Sequence, residues 1–377
     1  VSKIREEGDR VFVPVEVMHS LGAATFEAVG SDPVEAKTIV TRLAGANLRG
    51  HDSHGVIRIP RYVQWAKDGI QVPNQKLRVL SDQPGMAIVD GQYGFGQTIG
   101  EQAVDIGIEK AKSQGVAMVA LRNSGHIGRI GDWAERAADA GLVSVHMVNV
   151  RGSLLVAPFG GVSRRSSTNP FCIGAPIEGS EPIVLDFATS MVAEGKALVA
   201  LKGGKPLPEG ALVDADGTIT SDPRPLYGPT GDSIYPDPSQ GPGALRTFGD
   251  HKGFGMNFMM EVMAGALTGS GTAGKLDEPE GRRFCNGMLS FYIDLKAMEG
   301  APREMSDSFA AEVMEYVAFV KSATPTVPGG EILVPGEPER RLMAERLVSG
   351  LPLARQAWDD IVETARNLGI DPEVHNA

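Results

Sequence analysis

Apolar positions in the first part of the chain recur at helical spacing. Asp32-Pro33-Val34-Glu35 sets a capping aspartate, a proline at the first helical position and a glutamate at the third ahead of Ile39, Val40, Leu43 and Ala44. That order predicts a helix running to about Leu48 and stopping at Gly50. A second helix fits residues 57–67, with Pro60 in its first turn and Gly69 past its end. Between them lies a polar loop, Arg49-Gly50-His51-Asp52-Ser53-His54-Gly55. The first ninety residues therefore read as helical.

From Met86 onward the pattern alternates between strand and helix. Residues 86–90 are a short apolar run, and Thr98-Ile99-Gly100-Glu101 reads as a capping box opening a helix with Val104, Ile108 and Ala111 on one face. Gly115 ends it. A strand at 116–121, a helix at 132–140, a strand at 142–148 and two strands within 173–187 follow, which predicts an α/β or α+β core. Residues 206–247 carry eight prolines and little periodicity, and read as a long surface excursion, a candidate cover for a site. His251-Lys252-Gly253-Phe254-Gly255 opens a further helix through Phe258, Val262 and Ala266. A strand near 288–295 and helices at 304–321, 338–348 and 353–367 complete the pattern, with no internal repeat.

Composition narrows the class. A length of 377 residues suggests two or three domains with cores large enough to need no disulfide or metal staple. The 36 Lys+Arg against 47 Asp+Glu give a formal charge of −11, and no basic stripe offsets it, which argues against a nucleic-acid partner. Cys172 and Cys285 stand far apart, so neither a disulfide framework nor a thiolate zinc site is indicated. No apolar run is long enough to span a membrane, and residues 1–14 are charged rather than built as a signal peptide; the expected location is the cytoplasm. The 47 glycines imply many close backbone approaches, which suit a site enclosing an extended ligand.

Several segments could carry chemistry. Gly94, Gly96 and Gly100 follow a strand and open a helix, as in dinucleotide-binding turns, but their spacing is one residue off the strict fingerprint. The next strand also ends in Leu121-Arg122-Asn123 without the ribose-binding acid, so close packing of a glycine turn is the simpler reading. His51, Asp52, Ser53 and His54 gather proton-transfer groups, with Arg58 four residues on to grip a carboxylate. The same loop with His126 is the alternative for a metal-dependent hydrolase. Ser124-Gly125-His126-Ile127-Gly128-Arg129 lies where a strand runs into a helix, a place where ligands collect. Ser167-Thr168-Asn169-Pro170 and Leu185-Asp186-Phe187-Ala188-Thr189-Ser190 also sit at strand ends, and read equally as turns and caps.

Taken together, the His51 loop, the Asp90-to-Gln97 glycine segment, Ser124-to-Gly128, Thr168-Asn169-Pro170, Leu185-to-Thr189 and His251-to-Gly255 resemble the second, non-Rossmann type of malate/L-lactate dehydrogenase, across most of the chain. The resemblance implies a mostly antiparallel nucleotide-binding sheet domain (residues 86–300) inserted between a helical N-terminal part (1–85) and a helical C-terminal part (301–377) that pack together. It implies reversible hydride transfer between NAD or NADP and C2 of a small 2-hydroxy or 2-oxo acid, or a cyclic imine, in a homodimer that needs no metal. His126 is then the first choice for acid/base, with His54 its partner or alternative, Arg58 the carboxylate clamp and Ser53 an orienting hydroxyl. Asp186 would orient an imidazole or touch the nicotinamide end. The nucleotide would lie along Thr168, Asn169, Asp186, Phe187, Ala188, Lys252 and the Pro335-Gly336-Glu337 turn. The loop from Asn149 to Leu154 and the stretch before His251 are longer than the family pattern, and Arg151, Arg164 and Arg165 are candidates for a 2′-phosphate. A non-catalytic nucleotide-binding relative is the remaining alternative; both histidines and Arg58 being present speaks against it.

Overall fold

The computed structural model describes residues 3–229, 236–274, 283–298 and 305–375. Two short strands, β1 (Arg5–Glu7) and β2 (Arg10–Val13), precede three helices, α1 (Val15–Glu27), α2 (Pro33–Leu48) and α3 (Ile59–Lys67). The Asp32 side chain accepts from the amides of Val34 and Glu35, which satisfies two free donors at the start of α2. Glu35 does not close a capping box; its carboxylate accepts from Ser31 and from the amide of Asn74 instead. The opening strands correct an all-helical reading of this region: the apolar pairs there are too short to show a period.

Seven strands form the main sheet. β3 (Arg78–Gln83) and β4 (Met86–Asp90) lead through α4 (Gly96–Gln114) to β5 (Val116–Ser124), then through α5 (Gly131–Asp139) to β6 (Leu142–Arg151). β7 (Pro170–Ala175) and β8 (Ile183–Ala188) follow, and α6 (Glu194–Leu201) leaves the sheet. A small second sheet joins β9 (Leu212–Val213), β10 (Ile219–Thr220) and β11 (Ala244–Leu245), with the one-turn α7 (Arg224–Tyr227) inside the proline-rich excursion. Then come α8 (His251–Met260), continued as a π-helical stretch Glu261–Leu267, and β12 (Cys285–Asp294). The main sheet has the order β3-β4-β5-β12-β6-β7-β8, and only β4 and β5 run parallel. That is a mixed α/β fold with a mostly antiparallel sheet, not a doubly wound Rossmann fold.

The helix predicted to open at a Thr98 capping box begins earlier, at Gly96, with Phe95 at its cap position. The Thr98 hydroxyl bonds back to the Phe95 carbonyl. A glycine can start this helix because its missing Cβ is needed: one built at Gly96 would stand 2.3 Å from the His126 carbonyl oxygen.

The chain ends in α9 (Met305–Lys321), α10 (Glu337–Ser349), β13 (Leu351–Ala354) and α11 (Arg355–Arg366). Glu304, the expected start of α9, lies outside the described residues. Leu353 belongs to β13, not to a helix; β13 pairs with β2 at the edge of the first sheet, where Pro352 costs no ladder bond on its outer side. Val11, Leu43, Phe95, Leu351 and Ile361 share one core, so β2, α2, the start of α4, β13 and α11 pack together. A second core lies under the sheet around Val104, Trp133, Leu142 and Tyr292.

α4 packs so closely on β12 that a Cβ at Gly107 would sit 2.1 Å from the buried Tyr292 ring. Gly107→Ala should gain about 1 kcal/mol of helix propensity yet lose about 3 kcal/mol to overpacking. The expected outcome is a lower Tm; a Tm equal to or above that of the parent would show that the α4 contact yields.

Candidate active site

One cleft of about 830 Å³ runs between the N-terminal unit and the sheet domain, lined by His54, Arg58, Arg61, Trp65, His126 and Glu194 among others. Its first side is built by the histidine loop. Ser53 and His54 stand on a short 3-10 turn, Asp52–His54, and Arg58 ends a second one, Val56–Arg58. Asn47 of α2 holds both turns, donating to Asp52 and accepting from the Val56 amide. Gly55 is required there, because a Cβ would fall 2.0 Å from the Asn47 side-chain oxygen. Arg346 of α10 clamps Asp52 from outside at 2.6 Å, so the C-terminal part holds the loop in place.

His126 faces this loop from the turn between β5 and α5. Its ring stacks on His54 with centroids 5.4 Å apart and planes 15° apart. Nδ1 of His126 lies 2.5 Å from the Tyr62 hydroxyl, which also accepts from the Gln97 amide at 3.2 Å. The glycine segment thus has a use that its sequence only suggested. Gly96 brings α4 against the His126 backbone, Gln97 braces Tyr62, and none of Gly91, Gly94, Gly96 or Gly100 lines the cleft.

Arg58 is not a free carboxylate fork. Its Nη1 lies 2.8 Å from Glu194 and its Nε donates to the Ser53 carbonyl at 2.7 Å, with both charged side chains 7% exposed. Glu194, the first residue of α6, escaped the sequence reading. A Cβ at the following Gly195 would stand 2.4 Å from the Ser53 carbonyl oxygen and 2.6 Å from Arg58, so α6 packs directly on the histidine loop. The Tyr227 hydroxyl donates to the same carboxylate at 2.8 Å, and Arg61 lies 4.0 Å from it.

These contacts set the protonation states. Burial would raise the Glu194 carboxyl, but Arg58 and Arg61 with the Tyr227 hydrogen bond bring it down to about 2. His126 keeps part of its surface open to the cleft, yet the surrounding protein desolvates it and, with Arg58 adding repulsion, lowers it to about 3. His54 is likewise held well below the ordinary imidazole range by burial and then by His126. Burial pushes the Tyr62 phenol up to about 12. At neutral pH the cleft therefore presents two uncharged imidazoles beside a neutralised ion pair.

Other expected residues fall elsewhere. Ser53 orients His54 through a 2.9 Å bond to Nδ1. Among the proposed nucleotide contacts, Thr168 lines the cleft. Asn169 is buried in bonds to Glu261 and Asn257, and Asp186 accepts from the Gly131 amide at the start of α5 rather than from either imidazole. Phe187 packs edge-on to Phe171 and Phe248; Ala188 pairs with Pro170. Lys252 is exposed in the first turn of α8, while Gly336 and Glu337 stand near Val184 and Lys321, and none of the three lines this cleft. His51 turns away to Glu339, so the three histidines of the metal alternative do not converge, and among the described residues no group of three His, Cys, Asp or Glu side chains is placed to hold a metal ion.

Fold and cleft together place two stacked imidazoles and a buried ion pair beside a mostly antiparallel, non-Rossmann sheet. Residues 13–362 match the malate/L-lactate dehydrogenase family, and the chain belongs to it. It is similar to hydroxycarboxylate dehydrogenase B of Escherichia coli K12, 38% identical over 365 residues and 96% of each chain. It is also similar to malate dehydrogenase of Pyrococcus abyssi, 33% identical over 360 residues and 96% of each chain. The solved structure of malate dehydrogenase from Pyrococcus horikoshii superposes with a TM-score of 0.82 at 27% identity, covering 97% of this chain and 98% of that one.

Because Glu194 is depressed when folded, its contribution to stability is complete above the unfolded value near ~4.3 and is lost as pH falls toward 2, on the order of 3 kcal/mol. The depressed imidazoles act in the same direction over a higher window, from ~6.5 downward. Thermal melts from pH 7 to pH 3 should show one decline that steepens below ~4.3, where the Glu194 loss adds to that of the imidazoles. Glu194→Gln should remove that extra steepness and keep the decline above it; an unchanged steepening would remove the ion pair as its source.

Proposed function

We propose that the protein transfers hydride reversibly between a nicotinamide nucleotide and C2 of a small 2-hydroxy or 2-oxo acid, with His126 as the proton-transfer group. The observation that carries this reading is the pair of neutral imidazoles beside Arg58 and Arg61 on one cleft. In the tautomer that carries its ring hydrogen on Nδ1, beside the Tyr62 oxygen, His126 would offer a bare Nε2 to take the C2 hydroxyl proton during oxidation. Arg58 and Arg61 place positive charge over the substrate carboxylate, Glu194 moderates that charge, and His54, held by Ser53, polarises the C2 oxygen.

The residues present fit a nicotinamide nucleotide. The cleft has the volume of a small-molecule site, and Trp65 stacked on Phe284 at 4.5 Å gives it an aromatic wall. Ser153 and Thr168 supply hydroxyls, and Arg165 supplies a cation. When bound, the nucleotide supplies the hydride acceptor or donor. Thr168 and Ser153 would hold it, and Arg165 would meet a 2′-phosphate. Arg164 is spent on backbone carbonyls and Arg151 donates to Tyr93, so neither takes that role in this reading. The site for the reaction is expected in the cytoplasm; no helix among the described residues is long and apolar enough to cross a membrane.

The test is the loss of reduced-nicotinamide absorbance with NADH and NADPH across a panel of 2-oxo acids and cyclic imines. The low free-enzyme pKa of His126 sets the profile. For oxidation kcat/KM should be flat between pH 6 and 8, whereas for reduction, which needs the imidazolium, it should fall about tenfold per pH unit. His126→Asn should lower kcat at least ~100-fold, abolish that slope and keep nucleotide binding. If His54→Asn abolishes the slope and His126→Asn retains it, the roles of the two histidines are exchanged.

The protein is also proposed to work as a homodimer. Phe258, Met259 and Leu267 on α8 and its continuation, Phe319 on α9 and Val348 on α10 are exposed apolar side chains that a second copy would cover. Sedimentation at micromolar concentration should give twice the 39.9 kDa chain mass; a fully active monomer would refute the pairing.

A further inference from the structure

The proline-rich excursion supplies one wall of the cleft, through Asp237, Pro238, Ser239, Gly241 and Pro242. Little regular structure supports that wall. Between β10 and α8 the described elements are the four-residue α7 and the two-residue β11. A segment of this kind is normally the mobile part of a site. Here it is fastened to its surroundings by side chains.

Arg164 directs its whole guanidinium at the backbone of this segment. Nε donates to the Gly243 carbonyl at 2.6 Å, Nη1 to Pro238 at 2.5 Å, and Nη2 to Leu226 at 2.9 Å and to Gly241 at 2.7 Å. Four carbonyls from both limbs of the segment thus converge on one planar cation, a geometry that suits arginine and that lysine, with a compact ammonium, reproduces poorly. Two further fastenings reach the reacting side of the cleft: Arg61 donates to the Pro236 carbonyl at 2.7 Å, and Tyr227 to Glu194 at 2.8 Å. The limbs are also pressed together. A Cβ at Gly241 would stand 2.1 Å from the Pro225 carbonyl oxygen, and the Gly243 amide donates to that same carbonyl at 2.9 Å.

We propose that Arg164 is a positioning residue for substrate selection: by holding both limbs of the proline-rich segment it makes them a fixed wall that limits the group a 2-oxo acid carries beyond C2. This rests on the reading of the cleft as a 2-hydroxy-acid dehydrogenase site. A wall pinned at four carbonyls and joined to Arg61 and Glu194 cannot retreat without disturbing the groups beside the substrate. A short substrate leaves it untouched; a longer one meets prolines. Arg164 touches neither reactant in this scheme, so its removal acts through KM and through the dependence on substrate size.

The experiment compares the parent enzyme with Arg164→Gln and Arg164→Lys on a series of straight-chain 2-oxo acids of increasing length, with KM for the reduced nicotinamide measured alongside. The ratio of kcat/KM for the shortest acid to that for the longest should shrink by about tenfold in Arg164→Gln, the scale on which pockets discriminate methylenes. Arg164→Lys should fall between the two, and Arg224→Gln, at an exposed residue of the same segment, should match the parent. An unchanged size ratio, or a rise confined to the nicotinamide KM, overturns the proposal. Hydrogen exchange provides a readout independent of turnover. The amides of Gly228, Gly241 and Gly243 should be protected in the parent and exchange faster in Arg164→Gln, with those of α4 unchanged. Open-chain exchange at these amides in the parent overturns the fixed wall even if turnover is normal. Protected amides in an enzyme that turns over no 2-oxo acid would refute the functional reading alone.

Discussion

The buried pair of Arg58 and Glu194 is the constraint around which the cleft is arranged. Either charge alone in that position would be costly to desolvate, and each is tolerable only with the other in place. The two residues belong to different units of the fold: Arg58 to the histidine loop beside α3, Glu194 to the helix that leaves the main sheet. Their pairing therefore fixes how the terminal unit meets the sheet domain, and the cleft is the space left along that join. Tyr227 adds the proline-rich segment to the same carboxylate, so three parts of the chain meet at one charged group.

The electrostatics of the histidines follow from that arrangement. Two stacked imidazoles close to a guanidinium cannot both carry a proton, and burial keeps each of them neutral. Glu194 weakens the repulsion from Arg58 without coming within bonding distance of either ring. A substrate carboxylate entering the cleft would add the negative charge that the imidazoles lack, and would raise the proton affinity of His126 only while it is bound. In the proposed mechanism, substrate binding would thus favour protonation of His126 through charge.

Legibility in the sequence varied with the range of the interaction. The start of α2, the stop at Gly115 and the alternation of strands and helices from Met86 to Phe187 were readable because caps, glycines and periodicity act over a few residues. The resemblance brought His54, Arg58 and His126 to one site, and the fold places them on one cleft. The start of α4 was misread because Thr98-to-Glu101 has the composition of a capping box inside a helix already begun. β1, β2 and β13 were missed because strands of three or four residues carry too little period, and their pairing joins opposite ends of the chain. Glu194 and the four-carbonyl role of Arg164 were invisible for the same reason: no local pattern records which distant backbone or charge a side chain will meet.

The closing of the histidine loop by α10 gives the protein an order of assembly. Arg346 reaches the Asn47 carbonyl and the Asp52 carboxylate, and β2 has β13 as its second neighbour. During synthesis the loop, α3 and the whole sheet domain leave the ribosome before those partners exist. Until α10 and β13 emerge, the chain carries the histidine loop without the contacts that brace it. α10 therefore serves as the latch of the histidine loop, made after the groups that it secures.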